Sequence, residues 1–351
     1  MTLKEENEKR EFLFQLKQEF AQDEIKGKIE ALKGLKVLVI GDAIIDEYAF
    51  CESIERAKKE PILVFEHGYS EYYGGGILAI ANHVAEYADN VTLLTLMGND
   101  WRIRQIVDET LNRKVEKKFF FDNKYPTLEK RRYVYSYRTH KMFEVYNKKH
   151  DLVDISEEEI LDYLENHLQD FDIVIVADFG HGLITDRIVN VLSKKAKHLA
   201  INVQTNNGNL GFNLITKFKR ADFISITVEE LQLALQDNKT DLKTLIEKLS
   251  EKTSCGRINI TMGKHGMLYY DKSSSFYMVP VFNEEVVDTT GAGDAVFSVI
   301  SMLSAKNSAP KLIPFLGNCV GALAVKIMGN KRPVKKEELA GFLDKLLTSN
   351  L

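Results

Sequence analysis

Asp288-Thr289-Thr290-Gly291-Ala292-Gly293-Asp294-Ala295 is the stretch of the chain that decides its predicted fold. It follows the short apolar run Val286-Val287 and precedes an apolar helical run that reaches Leu303, so it predicts a turn from a strand into a helix. Glycine on both sides of Ala292 lets backbone N–H groups approach a ligand closely. Because a helix that begins here directs free N–H groups and the positive end of its dipole toward the turn, the stretch predicts an anion-binding site.

Asp294 lies in the first turn of that predicted helix, within reach of whatever carries the anion. An anion site with a carboxylate beside it suits phosphoryl transfer to a hydroxyl group. The backbone holds the charge that develops on the transferred group, and the carboxylate takes the proton of the acceptor. A simpler interpretation is also open, in which the stretch is only a strand-to-helix turn with an acidic cap.

Composition places the chain among compact globular proteins. It has 351 residues, of which 44% are hydrophobic and 28% charged, with a formal net charge of -4. This slight acidity argues against nucleic acid or a membrane surface as the main partner. Cys51, Cys255 and Cys319 lack metal-binding spacing and indicate reduced thiols in a cytoplasmic protein. The sequence lacks an apolar run of membrane-spanning length, and its N-terminus is not typical of a secretion signal.

The order of apolar runs predicts an α/β fold. Short buried strands alternate with helical stretches, which is typical of a doubly wound, mostly parallel sheet with helices on both faces. Residues 1–33 are predicted to form a helical N-terminal extension, packed on the body or contacting a partner, and residues 34–348 form the α/β domain. Alternating aromatic and basic residues predict a small second β-sheet outside the main one, expected to be antiparallel, with strands drawn from about 45–66 and 117–148, including Phe119 to Phe121.

The opening stretch resembles the C-terminal signature of the ribokinase-like (PfkB) carbohydrate kinases. The segment Gly41 to Tyr48 is most similar to the kinase domain of heptose-phosphate kinase/nucleotidyltransferases (HldE/RfaE type), and the resemblance covers about residues 34–345. It implies that Asp294 is the catalytic base and that Gly291, Ala292 and Gly293 form the anion hole. No nucleotidyltransferase half is recognised in this sequence.

The resemblance also implies a set of acceptor-binding residues. In the family an Asp after the first strand binds sugar hydroxyls, and a Gly-Gly pair lets the substrate lie against backbone. A small sheet like the one predicted here forms a lid over the sugar, and its basic residues can hold a phosphate on the substrate. The corresponding residues here are Asp42, Asp46, Gly74, Gly75, Lys130, Arg132, Arg138 and Asp178. The alternatives are that the acids cap loops and that the basic residues are solvated charges. Leu78 stands where the family has a sugar-binding Asn, with Asn82 one turn later, which leaves the acceptor open.

The implied cofactors are ATP and Mg²⁺. The resemblance assigns nucleotide binding to Thr261, Gly263, Gly266, Thr289 and Asn318. It assigns metal placement to Glu230, although Thr227 replaces the family Asn and also forms a capping-box pattern with Glu230. Since Mg²⁺ needs only one or two carboxylates besides water and phosphate oxygens, this replacement is tolerable.

Together these features predict an ATP-dependent kinase of a sugar or sugar phosphate. The resemblance suggests the anomeric hydroxyl of a heptose 7-phosphate, feeding nucleotide-sugar and glycan synthesis, and a homodimer formed through the lid. A non-catalytic sugar- or nucleotide-binding protein on a kinase scaffold remains an alternative, as does a ribokinase-like kinase of another acceptor. A dinucleotide-binding oxidoreductase is disfavoured because no Gly-x-Gly-x-x-Gly follows the first strand.

Overall fold

The computed structural model describes residues 3–124, 126–137, 140–147, 154–205, 209–282 and 285–348. The strands of this part of the chain are β1 Lys36–Gly41, β2 Ala43–Arg56, β3 Leu63–Gly76, β4 Asn90–Gly98, β5 Val115–Asp122, β6 Leu128–Tyr135, β7 His140–Tyr146, β8 Ile173–Asp178, β9 Leu199–Val203, β10 Phe223–Thr227, β11 Arg257–Thr261, β12 Met267–Asp271 and β13 Ser275–Val279. The helices are α1 Leu3–Glu19, α2 Gln22–Glu30, α3 Ile77–Tyr87, α4 Trp101–Thr110, α5 Asp154–His167, α6 Asp186–Lys195, α7 Val228–Leu235, α8 Leu242–Lys252, α9 Ala292–Ala305, α10 Leu312–Ala324 and α11 Lys336–Thr348.

The main sheet has nine strands in the order β13-β12-β11-β10-β9-β8-β1-β4-β5. The pairs from β11 to β5 are parallel, and β12 and β13 extend one edge antiparallel. Helices α3, α9 and α10 pack on one face, and α5 to α8 pack on the other. Burial on both faces explains why the central strands are continuous apolar runs. The predicted doubly wound, mostly parallel sheet is therefore confirmed.

The strand order predicts a ligand site near β1 and β8. From this pair the sheet grows outward through β4 on one side and through β9 on the other. In open α/β sheets, ligands bind outside the carboxyl ends of the strands at such a reversal of strand order. The segments that follow β1, β8 and β9 therefore meet at the same edge of the sheet.

A separate four-stranded sheet, in the order β3-β2-β6-β7, forms the predicted lid. Its composition corrects two expectations. Strands β2 and β6 pair in parallel, from Ile44↔Leu128 to Cys51↔Tyr135, whereas an antiparallel sheet was predicted. Phe119 to Phe121 belong to β5, an edge strand of the main sheet, and not to the lid. An edge strand leaves one side partly exposed, so it shows the same alternation as a lid strand.

Strand β3 is also longer than the sequence predicted. It pairs with β2 from Leu63 opposite Arg56 to Gly76 opposite Ala43, so the glycines at its end lie in a strand and not in a loop. The lid is joined directly to the main sheet, because lid strand β2 begins two residues after main-sheet strand β1 ends. The lid is thus built on a short connection at the ligand-binding edge.

The N-terminal segment forms two helices, α1 and α2, where a single helical extension was predicted. The apolar residues on one side of these helices are buried, among them Leu13, Leu16 and Ile25, whereas Phe14 is exposed. The ring of Phe12 lies 6.1 Å from those of Phe282 and Phe315. The segment therefore packs on the body of the protein. No helix in the described ranges combines the length and apolar character needed to cross a bilayer.

Candidate active site

One cavity of about 290 Å³ lies between the carboxyl ends of the main-sheet strands and the lid. Its walls come from the ends of β9, β10 and β11, from the loop before α9, and from lid strands β2 and β6. The cavity brings together these residues predicted from the sequence: Asp46, Lys130, Arg132, Glu230, Thr261, Thr289, Gly291, Gly293 and Asp294.

The floor of the cavity is the start of α9. Gly291 precedes this helix with a positive φ of 80°, and a Cβ at this position would lie 2.0 Å from Oδ1 of Asn330. Only glycine fits both the backbone conformation and this close approach. Gly293 lines the cavity, and no atom lies within 4 Å of the place its Cβ would take. The first turn of α9 therefore presents unobstructed backbone to the cavity, with the positive end of the helix dipole.

Asp294 stands in that first turn and is 8% exposed. Its Oδ1 accepts a hydrogen bond of 3.1 Å from Nε2 of Gln204. Burial raises the pKa of this carboxyl to about 7, and the nearby carboxylates of Asp46 and Glu230 act in the same direction, while the Lys130 ammonium and the Gln204 bond oppose it. A carboxylate that titrates near neutrality can accept a proton and release it again at physiological pH.

Asp46 faces the cavity from lid strand β2. Its carboxylate pairs with Arg132 and accepts a 2.9 Å hydrogen bond from Nδ2 of Asn330. The backbone of Gly75 lies so close that a Cβ there would be 2.2 Å from Asp46 Oδ2. Arg132 also pairs with Glu144 on β7. The guanidinium is therefore shared between two carboxylates and holds Asp46 in a fixed position.

Lys130 lies two residues before Arg132 on the same face of β6 and lines the cavity. Its ammonium is 5.3 Å from the ring centre of Tyr146. Burial lowers the pKa of this lysine, although the carboxylates of Asp46, Glu144 and Asp294 act against the decrease. Lys130 thus brings positive charge to the same space as the carboxylate of Asp294.

Two acids predicted to bind the acceptor lie outside the cavity wall. Asp42 is buried, and its carboxylate accepts backbone hydrogen bonds from Phe179, His181 and Leu183 at 3.1, 3.1 and 3.3 Å. Asp178 pairs with Lys217 and accepts a 2.9 Å bond from the backbone N–H of Gly180. Burial raises the pKa of Asp178, and Lys217 opposes this rise. Both acids fix the loop after β8 at the edge of the site.

Three residues predicted at the substrate or nucleotide sites have packing roles in the structure. The side chain of Asn318 donates to the carbonyl oxygens of Val279 and Pro280 at 3.0 and 3.1 Å, holding the end of β13. Gly266 has a φ of 87°, and a Cβ there would lie 2.0 Å from the carbonyl oxygen of Val279. A Cβ on Gly74 would meet that of Leu78 at 3.0 Å, where β3 packs on α3. Gly263 belongs to the same short turn as Gly266, between β11 and β12.

Arg138, which was predicted to bind a phosphate of the substrate, lies outside the described residues.

Glu230 lies in the cavity wall and also caps α7. Its Oε2 accepts from the backbone N–H of Thr227 at 2.8 Å, while Thr227 Oγ1 accepts from the N–H of Glu230 at 3.2 Å. Its Oε1 accepts from the N–H of Thr205 at 3.2 Å. Within the described ranges there is no group of three or more His, Cys, Asp or Glu side chains arranged to hold a metal ion. A single wall carboxylate fits an ion that takes its other ligands from water and phosphate oxygens, as Mg²⁺ does.

The helix after β3 does not supply the family's asparagine. Leu78 is buried in the core, and Asn82 bonds the backbone of Thr110 and Asn112 at 2.9 and 2.7 Å. Asn82 therefore braces the loop after α4 and does not face the cavity. Polar residues that line the site besides the predicted site residues are Asn202, Gln204, Ser225, Thr227, Thr290 and Asn330. Asn202 and Gln204 lie at the end of β9, a position that could have been recognised from the sequence, whereas Asn330 follows α10 and carried no such signal.

The fold and this cavity place the chain among the ribokinase-like α/β proteins. The chain superposes on the structure of phosphofructokinase-2 from Escherichia coli in complex with fructose-6-phosphate with a TM-score of 0.68. The two sequences are 12% identical, and the superposition covers 90% of this chain and 99% of that one. Ribokinase from Arabidopsis thaliana, complexed with ribose and ATP, gives a TM-score of 0.62 at 15% identity, covering 88% and 99%.

Residues 35–337 match the model of the pfkB family of carbohydrate kinases, and the chain belongs to this family. The family that the sequence predicted is therefore confirmed. The bifunctional protein HldE of Koribacter versatilis is 24% identical over 310 residues, which are 88% of this chain and 63% of that protein. The chain thus spans less than two thirds of the length of this relative.

Proposed function

We propose that the protein transfers the γ-phosphoryl group of ATP to a hydroxyl of a sugar phosphate, with the anomeric hydroxyl of a heptose 7-phosphate as the leading acceptor and nucleotide-sugar and glycan synthesis as its use. The observation that carries the proposal is the position of Asp294. Its buried carboxyl, with a pKa of about 7, shares one cavity with the start of α9 and with Asp46.

Asp294 acts as the base. It accepts the proton of the acceptor hydroxyl while that oxygen bonds to the γ-phosphorus, and the bond from phosphorus to the bridging oxygen of ADP breaks. The proton leaves Asp294 for solvent before the next turnover. Since only the ionised carboxyl accepts a proton, activity rises with pH through about pH 7.

The start of α9 stabilises the charge on the transferred group. Its backbone N–H groups and dipole are fixed before the reaction, so they need no rearrangement as the charge develops. Glu230 lies in the cavity wall with Thr227 and Thr261, which supports a role for its carboxylate at the ion that would accompany the nucleotide. Mg²⁺ held there would neutralise part of the charge of the phosphates.

The lid wall supports an acceptor that already carries a phosphate. The charge of Arg132 is compensated by Asp46 and Glu144, so this residue serves to orient Asp46 toward sugar hydroxyls. Lys130 lines the cavity and is the better candidate to neutralise a phosphate. The similarity to a relative named as a bifunctional HldE protein makes heptose 7-phosphate the first compound to test.

An acceptor screen tests the proposal. ADP release is measured with ATP and Mg²⁺ and a panel of heptoses, hexoses and pentoses, each free and phosphorylated. We expect turnover with a sugar phosphate, and in Lys130→Met a rise of about 10-fold or more in KM for that acceptor, because one charge-assisted contact is lost. The free sugar should lose less. Lys252→Met, at the end of α8, is the control and should match the wild type.

The second candidate is a non-catalytic sugar- or nucleotide-binding protein. This candidate is favoured by two replacements of family asparagines, since neither residue has a side-chain amide. Leu78 is buried in the core, and Thr227 forms a capping box. Binding of ATP and a sugar phosphate without any ADP release across the panel would support this candidate and reject the kinase.

The lid also supports a homodimer. Apolar side chains that stay exposed on it include Ile54, Ile62, Leu63, Tyr69, Phe143 and Val145. A second copy of the same sheet would cover these side chains with matching apolar surface. Light scattering should give twice the chain mass for the wild type and a smaller mass for the Ile62→Glu/Phe143→Glu variant; a wild-type monomer would reject the dimer.

A further inference from the structure

Asp288, the first residue of the motif, joins the loop before α9 to the lid. The carboxylate is buried, and its Oδ1 accepts from Nζ of Lys141 at 2.6 Å and from the backbone N–H of Thr290 at 3.0 Å. Its Oδ2 accepts from the hydroxyl of Tyr48 at 3.2 Å and from the N–H of Gly329 at 2.9 Å. Four donors from four segments therefore meet at one carboxylate.

Two of these donors belong to the lid. Tyr48 lies in β2 and Lys141 in β7, which are different strands of the lid sheet. The ammonium of Lys141 also lies 2.6 Å from Oγ1 of Thr290, a residue of the cavity wall directly before Gly291. Lys141 thus reaches from the outer strand of the lid to the loop that shapes the anion site.

A second connection from the lid ends on the same loop. Asn330 donates from Nδ2 to Asp46 of β2, and its Oδ1 lies against the backbone of Gly291. Gly329, its neighbour, is bonded to Asp288. The acceptor side and the anion side of the cavity are therefore linked twice, once through Asp46 and Asn330 and once through Lys141 and Asp288.

We infer that Lys141 is a positioning residue that couples the lid to the anion site, so that an acceptor seated under the lid tightens the binding of the nucleotide phosphates. This inference rests on the proposed function. Lys141 does not line the cavity and acts through Thr290 and Asp288. The ammonium of Lys141 bonds both Asp288 and Thr290, so it holds the loop before α9 only while β7 stays in this position. Binding of the acceptor and binding of the nucleotide therefore favour the same position of the lid.

We expect Lys141→Met to fold, because the mutation removes only one of the four donors to Asp288. In Lys141→Met, Asp288 keeps its hydrogen bonds from Tyr48, Thr290 and Gly329, so no buried carboxylate loses all its donors. Lys336→Met is the matched control. It breaks an ion pair of 2.8 Å to Glu30 with a lysine of similar exposure, 27% against 33%, between α11 and α2.

The experiment compares these two variants with the wild type by steady-state kinetics. For Lys141→Met we expect kcat to fall by about 10- to 100-fold, the range for one charge-assisted hydrogen bond, and the KM for ATP to lose its dependence on acceptor concentration. Added methylammonium should restore part of kcat in the truncated variant Lys141→Ala, since the shortened side chain leaves room for a small ammonium ion beside Asp288 and Thr290. Lys336→Met should keep wild-type kinetics.

A readout that needs no turnover is amide hydrogen exchange in the segment from Asp288 to Asp294. Faster exchange in Lys141→Met, with unchanged exchange in Lys336→Met, supports the coupling. Unchanged exchange in this segment overturns the coupling. A loss of kcat that methylammonium does not restore, together with a parallel loss of thermal stability, overturns it as well. A wild type that releases no ADP with any acceptor rejects the proposed function, and exchange in this segment still decides whether Lys141 holds the loop.

Discussion

The two walls of the cavity differ in how the chain builds them. The anion-site wall comes from one continuous stretch, Asp288 to Asp294, whose residues lie together because they are neighbours along the chain. The lid wall comes from residues far apart in sequence, and Asp46, Lys130 and Asn330 meet only through strand pairing and loop contacts. A local motif can therefore be read from the sequence, whereas the lid wall depends on the register of β2 against β6.

The largest effect is expected at the base, on the anion-site wall. Asp294→Asn keeps the size of the side chain but cannot accept the proton, so kcat should fall by about 10² to 10⁴. Turnover is measured by ADP release with the acceptor that works best for the wild type. ATP binding should persist, and near wild-type turnover in this variant would contradict the assignment.

The next effect separates two acids that the sequence treats alike. Asp42 holds three backbone N–H groups, so Asp42→Ala leaves buried donors unpaired and should lower the free energy of unfolding by about 2–5 kcal/mol. Asp46→Asn, in the cavity wall, should change stability less and mainly raise the KM of the acceptor. Denaturant titration and kinetics on both variants check this, and equal stability losses would contradict it.

The main sheet and the glycine turn before α9 were predictable because their signals are local. Buried strands such as Ile173–Asp178 are continuous apolar runs, and the Gly-Ala-Gly motif carries its own geometry. The lid was predicted only roughly, since partly exposed strands of either sheet show the same alternation, and Phe119 to Phe121 were misplaced for that reason. The partners of Asp288 and Asp46, namely Lys141 and Asn330, required tertiary contacts that no local pattern encodes.

The free energy of unfolding should depend on pH, because the folded state disfavours the ionised form of Asp294. The folded state raises the pKa of Asp294 from 3.8 to about 7, so its ionisation opposes folding as pH rises between these values. Asp294→Asn should be as stable as the wild type near pH 4 and more stable by about 1–4 kcal/mol at pH 8, because a unit of pKa corresponds to about 1.4 kcal/mol. Denaturant titrations at both pH values measure this difference. An equal difference at the two pH values would show that the carboxyl titrates normally.

The smallest effect distinguishes the two glycines of the anion site. Gly291→Ala forces a φ of 80° on a residue with a Cβ and moves Asn330, so stability should fall by about 1–2 kcal/mol. A Cβ in Gly293→Ala meets no atom beyond the neighbouring turns of α9, and stability should be unchanged or slightly increased, because alanine is the better helix former. Its methyl group enters the cavity, so ATP turnover should still decrease. Thermal unfolding and ADP release measured together decide this. Full turnover in Gly293→Ala would show that no phosphate group approaches the backbone at this position.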